Sequence, residues 1–331
     1  MMTTAEARVT VVVVPRDRFS VAPRSLDTLL DRTDPPFRLV YVDGGSPHSV
    51  RRYLEAKART HGFTLVRTDG YLAPNQARNV GAACASTEYV AFVDNDVIVT
   101  PGWLRDLVDC ADATGAWVVG PLCLIGELEH GAIHVAGGEL HMSGEFGERT
   151  LRSVHCLQGQ RLTDLEEPLA RRRCDFAEFH CMLVRADALA QVGPLDEQLL
   201  SCREHEDFCL GVREHAGEVW FEPASTVTYL PAPRRPATIG VLGPPLRLSD
   251  VRFLSLRWSE VWNRRSLEHF TTKHGIEAAY LSVLAVQNAQ RQALFVGLRE
   301  WVQRRFGRRL ENGVANVLYR AERVVNRMLY R

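Results

Sequence analysis

The order of elements in this chain predicts an α/β protein, a twisted, mainly parallel sheet with helices on both faces. Three observations carry the prediction. Strand-like runs at Val9–Val14, Phe37–Val42, Thr64–Arg67 and Tyr89–Val93 alternate with helix-patterned segments, the order of βαβ units. The first run is β-branched without interruption, as expected for a central parallel strand. Polar turn chemistry follows at Pro15-Arg16-Asp17, Asp43-Gly44 and Asp94-Asn95-Asp96, at strand ends where such sheets gather ligands.

The elements follow in order. Val9–Val14 is β-branched throughout and is bounded by Pro15. Ser25–Arg32 places Leu26, Leu29 and Leu30 on one helical face. Phe37–Val42 runs into Asp43-Gly44-Gly45-Ser46-Pro47, a turn sequence. Val50–His61 reads as a helix closed by Gly62, Thr64–Arg67 as a strand, Asn75–Ala85 as a helix and Tyr89–Val93 as the fourth strand. From Pro121 to Arg173, Gly- and His-containing stretches (His130, His134, Gly137, Gly138, His141) alternate with short strand-like pieces. Phe176–Arg185 reads as a further strand, and Ala186–Val192 as a helix closed by Gly193. Five prolines between Pro231 and Pro245 exclude regular structure there and predict a lid or linker. Asp250–Trp262 and the segment beyond Ile276 are patterned as helix.

The acidic tripeptide is the most informative feature. Two carboxylates one residue apart at the end of an apolar strand repel each other and lose hydration if buried. A divalent cation, Mg2+ or Mn2+, relieves both costs and keeps open positions for substrate phosphates. The pattern therefore points to a nucleotide-diphosphate site. A solvated strand-end turn is the alternative, because Asp and Asn both favour turns.

Composition narrows the classes. The chain has 331 residues, 46% hydrophobic and 24% charged, with zero formal net charge, ordinary values for a globular protein. No apolar run reaches the ~18–20 residues of a membrane-spanning helix, and the N-terminus lacks a signal-peptide pattern. The eight cysteines form no C-x-x-C and several lie in apolar runs, which suits reduced thiols and a cytoplasmic location. A zinc site from Cys174, Cys181, Cys202 and Cys209 with His180 and His205 lacks short knuckle spacing, so buried core cysteines are expected. Charge is uneven. Between Ala289 and Arg331 stand ten arginines and three glutamates.

Taken in order, Val9–Pro15, VYVDGGS (40–46), NQARNVGA (75–82), FVDNDV (92–97), VRADALAQVGPLDEQL (184–199) and EHEDFCLGVREHAG (204–217) resemble inverting glycosyltransferases of family 2, which have the GT-A nucleotide-diphospho-sugar transferase fold. The likeness spans roughly residues 8 to 230. It implies a nucleotide-sugar donor, a divalent metal and one-step transfer to an acceptor hydroxyl with inversion. It also implies site residues. Asp43 would accept from a nucleobase or ribose, or serve an Asp-Gly turn. Arg78 would stand near base and diphosphate, or be solvated on its helix, and Asn75 would contact the donor or cap that helix. Asp94 would contact the ribose or the metal, and Asp96 the metal. Asp207 would be the general base, with Glu206 or Glu204 as alternatives. Gly193-Pro194-Leu195-Asp196-Glu197 matches the family's G-x-x-D-E turn and reads as structural.

The departures matter. Pro15-Arg16-Asp17-Arg18 replaces the usual donor loop, leaving Pro15 and Arg16 to serve there through backbone or side chain. Tyr229 stands about where many relatives have a histidine metal ligand, so water or one of His180, His269 and His274 would complete the metal's shell. Leu254-Ser255-Leu256-Arg257-Trp258 lacks the glutamine of processive synthases, which argues for single addition.

The domain expectation is a catalytic unit over 1–230, a proline-rich lid or linker over 231–248 and a helical extension over 249–331. Within the catalytic unit, about 8–120 would bind the nucleotide and 121–230 would face the acceptor. In the tail, apolar residues at 314, 317, 318, 321, 324, 325, 328 and 329 form a stripe opposite the arginines. It would pack on the domain or a second subunit, or rest on an anionic membrane holding a lipid-linked acceptor. A carbohydrate or other hydroxyl acceptor fits equally, and no reading motif suggests nucleic acid. Two rival functions stay open at this point, a nucleotidyltransferase and a non-catalytic sugar-nucleotide-binding relative.

Overall fold

The computed structural model describes residues 6–34, 36–231, 247–277 and 302–329. Its first part alternates β1 (Val9–Val14), α1 (Ala22–Arg32), β2 (Arg38–Gly44), α2 (His48–His61), β3 (Thr64–Thr68), α3 (Pro74–Ala82) and β4 (Tyr89–Asp94). Next come β5 (Val97–Val99), α4 (Trp103–Thr114), β6 (Val118–Ile125) and β7 (Ile133–Val135). β8 (Gly138–Ser143), β9 (Thr150–His155) and β10 (Arg172–Cys174) occupy the region whose sequence gave only short strand-like pieces. β11 (Cys181–Arg185), α5 (Ala186–Val192), α6 (Glu204–Glu214) and β12 (Val219–Tyr229) follow, then α7 (Leu248–Arg257), α8 (Glu260–His274) and α9 (Arg308–Leu329).

Ten strands form one sheet along the path β10-β12-β6-β11-β4-β1-β2-β3, with β5 on β12 and β7 on β6. β3, β2, β1 and β4 are parallel, while β11 runs antiparallel between β4 and β6. β8 and β9 make a separate hairpin. From β1 the chain steps outward to β2 and β3, then returns to β4 on the opposite side of β1. That reversal places a topological switch point at the carboxyl ends of β1 and β4, the position of the ligand crevice in open α/β sheets.

The period of two in a strand divides the core. Val9, Val11 and Val13 of β1 face α1, α2 and α4, where Leu26, Leu54 and Trp103 pack. Val12 and Val14 face the other side with Ala77, Phe208, Leu267 and Phe270, from α3, α6 and α8. β4 alternates likewise, so Val90 and Phe92 point toward α3. Asp94 continues that phase. Gly81 lets α3 approach closely, since a Cβ there would lie 2.2 Å from Val12 Cγ1.

Some boundaries differ from expectation. The strand expected over Phe176–Arg185 is confined to β11. Residues before it turn across the end of β4, with the Cys181 N–H donating to the Glu178 carbonyl, and so carry Glu178 and His180 to the sheet's end. The single helix expected over Asp250–Trp262 is two, because Ser259 caps α8 by accepting from the Trp262 N–H at 3.2 Å. α3 begins at Pro74, with Ala73 as N-cap, so Asn75 is not the cap. The expected lid lies almost wholly outside the described residues, as does the helix expected directly beyond Ile276.

α7 and α8 pack into the same cores, through Phe253 on one side and Leu267 and Phe270 on the other. α9 differs. Val317, Val324, Val325 and Met328 of its apolar stripe are exposed, Met328 by 77%. No helix among the described residues is long and apolar enough to cross a membrane.

Candidate active site

Asp94 and Asp96 lie at the β1/β4 crevice, and both are fully buried. The phase of β4 aims Asp94 at α3, where Arg78 donates from Nη2 to Oδ1 at 2.9 Å. Arg16 Nη1 and His180 Nδ1 approach Oδ2 at 3.5 and 3.2 Å. Burial opposes the charge on Asp94, but Arg78, Arg16 and His180 outweigh it and hold the carboxyl at about 2. Asp96 stands in the opposite condition. Both its oxygens are buried without a hydrogen-bond partner, and burial with the nearby Asp17 and Asp94 charges pushes its carboxyl well up.

Asn95 fixes the loop between them. Its Oδ1 accepts from the Arg16 N–H at 3.0 Å and its Nδ2 donates to the Arg18 carbonyl at 3.1 Å. The unusual Pro15–Arg18 sequence is thereby tied to the acidic strand end. Trp258, the residue that caps the end of α7, donates to Asp17 at 3.0 Å. Pro15 packs beside Gly44, so the ends of β1 and β2 touch.

The other expected donor residues are held by internal partners. Asp43 accepts from the Ser46 N–H and hydroxyl, each at 2.9 Å, and from Arg67. Asn75 accepts from Arg78 at 3.2 Å and donates to the Asp196 carbonyl at 2.9 Å. Asn79 grips Leu195 in both directions, donating at 2.8 Å and accepting at 2.9 Å. The 193–197 turn is thus a clasp on α3, which supports its structural reading. Arg78 is completely buried and stacks on Phe179, 4.1 Å from the ring centroid.

The acidic start of α6 divides into three environments. Glu204 accepts from the buried Arg257 at 2.9 Å. Asp207 is clamped by α8, with His274 Nε2 at 2.8 Å and Lys273 Nζ at 2.9 Å. Glu206 accepts from Arg203 and from Ser153 Oγ at 3.1 Å, yet its Oε2 is buried without a hydrogen bond. Burial again opposes the charge, and Arg203 and the adjacent histidines bring Glu206 to about 2.

Of the three histidines considered as a third ligand, only His180 reaches the acidic pair. Its ring stacks on Tyr229 at 4.1 Å, so the residue in the expected histidine's place supports a histidine from the turn before β11. His269 instead contacts Asp196, and His274 contacts Asp207. Burial lowers His180 to about 4, with Arg16 adding to the effect, so the ring is neutral at physiological pH and offers a lone pair. Ligand atoms of Asp94, Asp96 and His180 all lie within 4.8 Å of one another. The partnerless oxygens of Asp96 fit a cation ligand, since a carboxylate buried with no donor is otherwise a pure cost.

Sequence reasoning missed a neighbouring cluster. Glu178 takes His155 Nε2 on Oε1 at 2.8 Å and His134 Nε2 near Oε2 at 2.6 Å. His180 and His205 stand 3.6 and 4.0 Å from the same carboxylate. The one local signal was a Glu and a His in the otherwise apolar run FAEFHCMLV (176–184). The cysteines are all unpaired thiols, and among the described residues none joins a metal-ligating group.

Residues 10–192, β1 through α5, match the family model described as Glycosyl transferase family 2. The chain belongs to that family. Pre-mycofactocin glycosyltransferase of Mycobacterium tuberculosis, in strains CDC 1551 / Oshkosh and ATCC 25618 / H37Rv, is 27% identical over 225 residues. The match takes in 67% of this chain and 42% of that protein, so the chain spans less than half the length of these curated relatives. Two solved structures are similar in fold. GalNAc-T7 with UDP, GalNAc and Mn2+ aligns with a TM-score of 0.53 at 14% identity, covering 82% of this chain and 56% of that one. The mannosyltransferase PcManGT from Pyrobaculum calidifontis, in complex with GDP-Man and Mn2+, aligns with a TM-score of 0.50 at 13% identity, covering 98% and 84%. At such identities the likeness concerns fold alone, and the fold is the GT-A arrangement expected of family 2. The acidic helix α6 lies beyond the family-matched span.

Proposed function

We propose that this family 2 chain transfers a sugar from a nucleotide-diphosphate donor to an acceptor hydroxyl in a single, inverting addition, with Mg2+ or Mn2+ at the β1/β4 crevice. The observation that carries this reading is Asp96, buried beside Asp94 and His180 with both carboxylate oxygens unpartnered. The relatives of similar fold were solved with Mn2+ and with UDP or GDP-Man, which supports the same donor class here.

Each residue then has a task. Asp94, Asp96 and His180 would hold the ion, which when bound supplies positive charge against the departing nucleoside diphosphate. Pro15, Arg16 and Asp43 line the donor side where β1 and β2 end. Asn75 and Arg78 act from beneath, holding Asp94 in place. The acceptor oxygen attacks the anomeric carbon, the bond to the diphosphate breaks on the opposite face, and the acceptor's proton passes to a base. We assign that proton to Glu206, whose Oε2 is not already hydrogen-bonded. Asp207, clamped by Lys273 and His274, keeps α8 on α6.

Nucleoside diphosphate release with Mn2+ and a panel of sugar nucleotides tests this. Turnover should appear with one donor, and Glu206→Gln should lower kcat by ~10²–10⁴-fold, the usual worth of a positioned base, with donor affinity retained. Asp207→Asn should lower the melting temperature more than kcat. If Asp207→Asn abolishes turnover without loss of stability, the base is Asp207. Pyrophosphate release would mark a nucleotidyltransferase, and nucleotide binding without turnover a non-catalytic relative.

The exposure of Val317, Val324, Val325 and Met328 on an arginine-rich helix favours an anionic membrane surface as the place of action. Vesicles containing anionic lipid should sediment the full chain at low salt and leave a 1–309 truncation in solution. Equal sedimentation of the two would remove the membrane from this account.

A further inference from the structure

We propose a second cation site beside the first, of the zinc class, built from His155, Glu178 and His205. These residues come from the end of β9, the turn before β11 and the first turn of α6. Their ligand atoms all lie within 4.8 Å of one another.

Three features distinguish this cluster from an ordinary hydrogen-bonded network. The Nε2 of His205 is buried without a hydrogen-bond partner, although Glu178 Oε1 stands 4.0 Å and Glu206 Oε2 3.2 Å away. A buried ring nitrogen that stands near Glu178 yet is hydrogen-bonded to no group is what a cation held between the two resolves. Next, the spacing suits zinc. Tetrahedral bonds of about 2.0–2.1 Å set neighbouring ligand atoms about 3.3 Å apart. The observed 2.8 Å from His155 Nε2 to Glu178 Oε1 and 4.0 Å from His205 Nε2 to the same oxygen bracket that value.

The third feature is support from outside the ligand set. His134 Nε2 stands 2.6 Å from the other oxygen of Glu178, the kind of outer partner that orients a ligating group. Two imidazoles and one carboxylate form a three-ligand set that leaves one position open on zinc. That position takes water or an oxygen donor. Glu178 lies within 3.6 Å of His180, so the two cation sites adjoin.

The test uses the full chain, stripped with a chelator and titrated with Zn2+ alone against a chromophoric competitor, with no nucleotide present. One tight equivalent is expected in the wild type. Asp96→Asn should keep it, which separates this site from the donor metal. His134→Ala should weaken it ~10–100-fold, as loss of an outer partner does, and His155→Ala or His205→Gln should weaken it further. Co2+ alone should give the intense visible absorption of tetrahedral coordination, a readout that needs no variant. The proposal fails if the wild type binds Zn2+ no more tightly than the His155→Ala/His205→Gln double variant. It also fails if Asp96→Asn removes the bound equivalent, or if Co2+ shows only the weak bands of an octahedral ion.

Discussion

Arg78→Met is expected to destabilise the chain by about 3 kcal/mol, measured as a lower denaturant midpoint at unchanged slope. Breaking a buried ion pair by removing one partner costs about 3–5 kcal/mol, because the other charge is left in a poor dielectric. Arg78 and Asp94 are both fully buried. The low end of the range applies because Arg16 and His180 still face Asp94 Oδ2. Arg78→Lys should recover only part of the loss. A lysine offers a point charge where the guanidinium fork reaches Asp94 and Asn75 together and stacks on Phe179. The decisive arm is the double variant. Adding Asp94→Asn to Arg78→Met removes the stranded charge, so the double should be more stable than Arg78→Met alone. A double variant that loses the sum of both single losses would show that Arg78 acts by packing alone.

The first half of the fold was legible in the sequence for a physical reason. β1 is covered on both faces, so all six of its residues are buried and the run is β-branched throughout, with Thr10 its one polar residue. The helices are bounded by chemistry visible one residue at a time, such as Gly62, whose φ of +71° closes α2. The acidic tripeptide was legible because two carboxylates in an apolar context demand an explanation. The region from β7 to β10 was not, because its strands are short or only partly covered. β8 has exposed and half-buried positions, so hydrophobic period is weak there. The Glu178 cluster was invisible for another reason. Its histidines at 134, 155, 180 and 205 are spread over more than seventy residues of chain, and only the return of β11 and α6 to one end of the sheet assembles them. The same reason hid the clamp on Asp207. Lys273 and His274 lie 66 and 67 positions away, and no local spacing announces a pairing between two helices.

Asp96→Asn should have opposite effects on the protein with and without metal, and that reversal is its signature. In the wild type without metal, Asp96 is a buried carboxylate with no donor, next to Asp94 and Asp17. Burying even a neutral polar group unpaired costs about 1–3 kcal/mol on mutational scales, and a charge costs more. Replacing it by a neutral amide of the same shape should therefore raise the metal-free melting temperature. Addition of Mn2+ and a nucleoside diphosphate should stabilise the wild type by mass action and leave the variant unmoved. Turnover should fall by about 10²–10³-fold or more, the loss expected when a group stabilising the leaving charge is removed. His180→Ala should repeat the loss of Mn2+ response, because its ring belongs to the same ligand group as Asp94 and Asp96, but without the gain in metal-free stability. If Asp96→Asn instead melts lower than wild type without metal and still responds to Mn2+, Asp96 is a structural carboxylate and the crevice holds its nucleotide by other means.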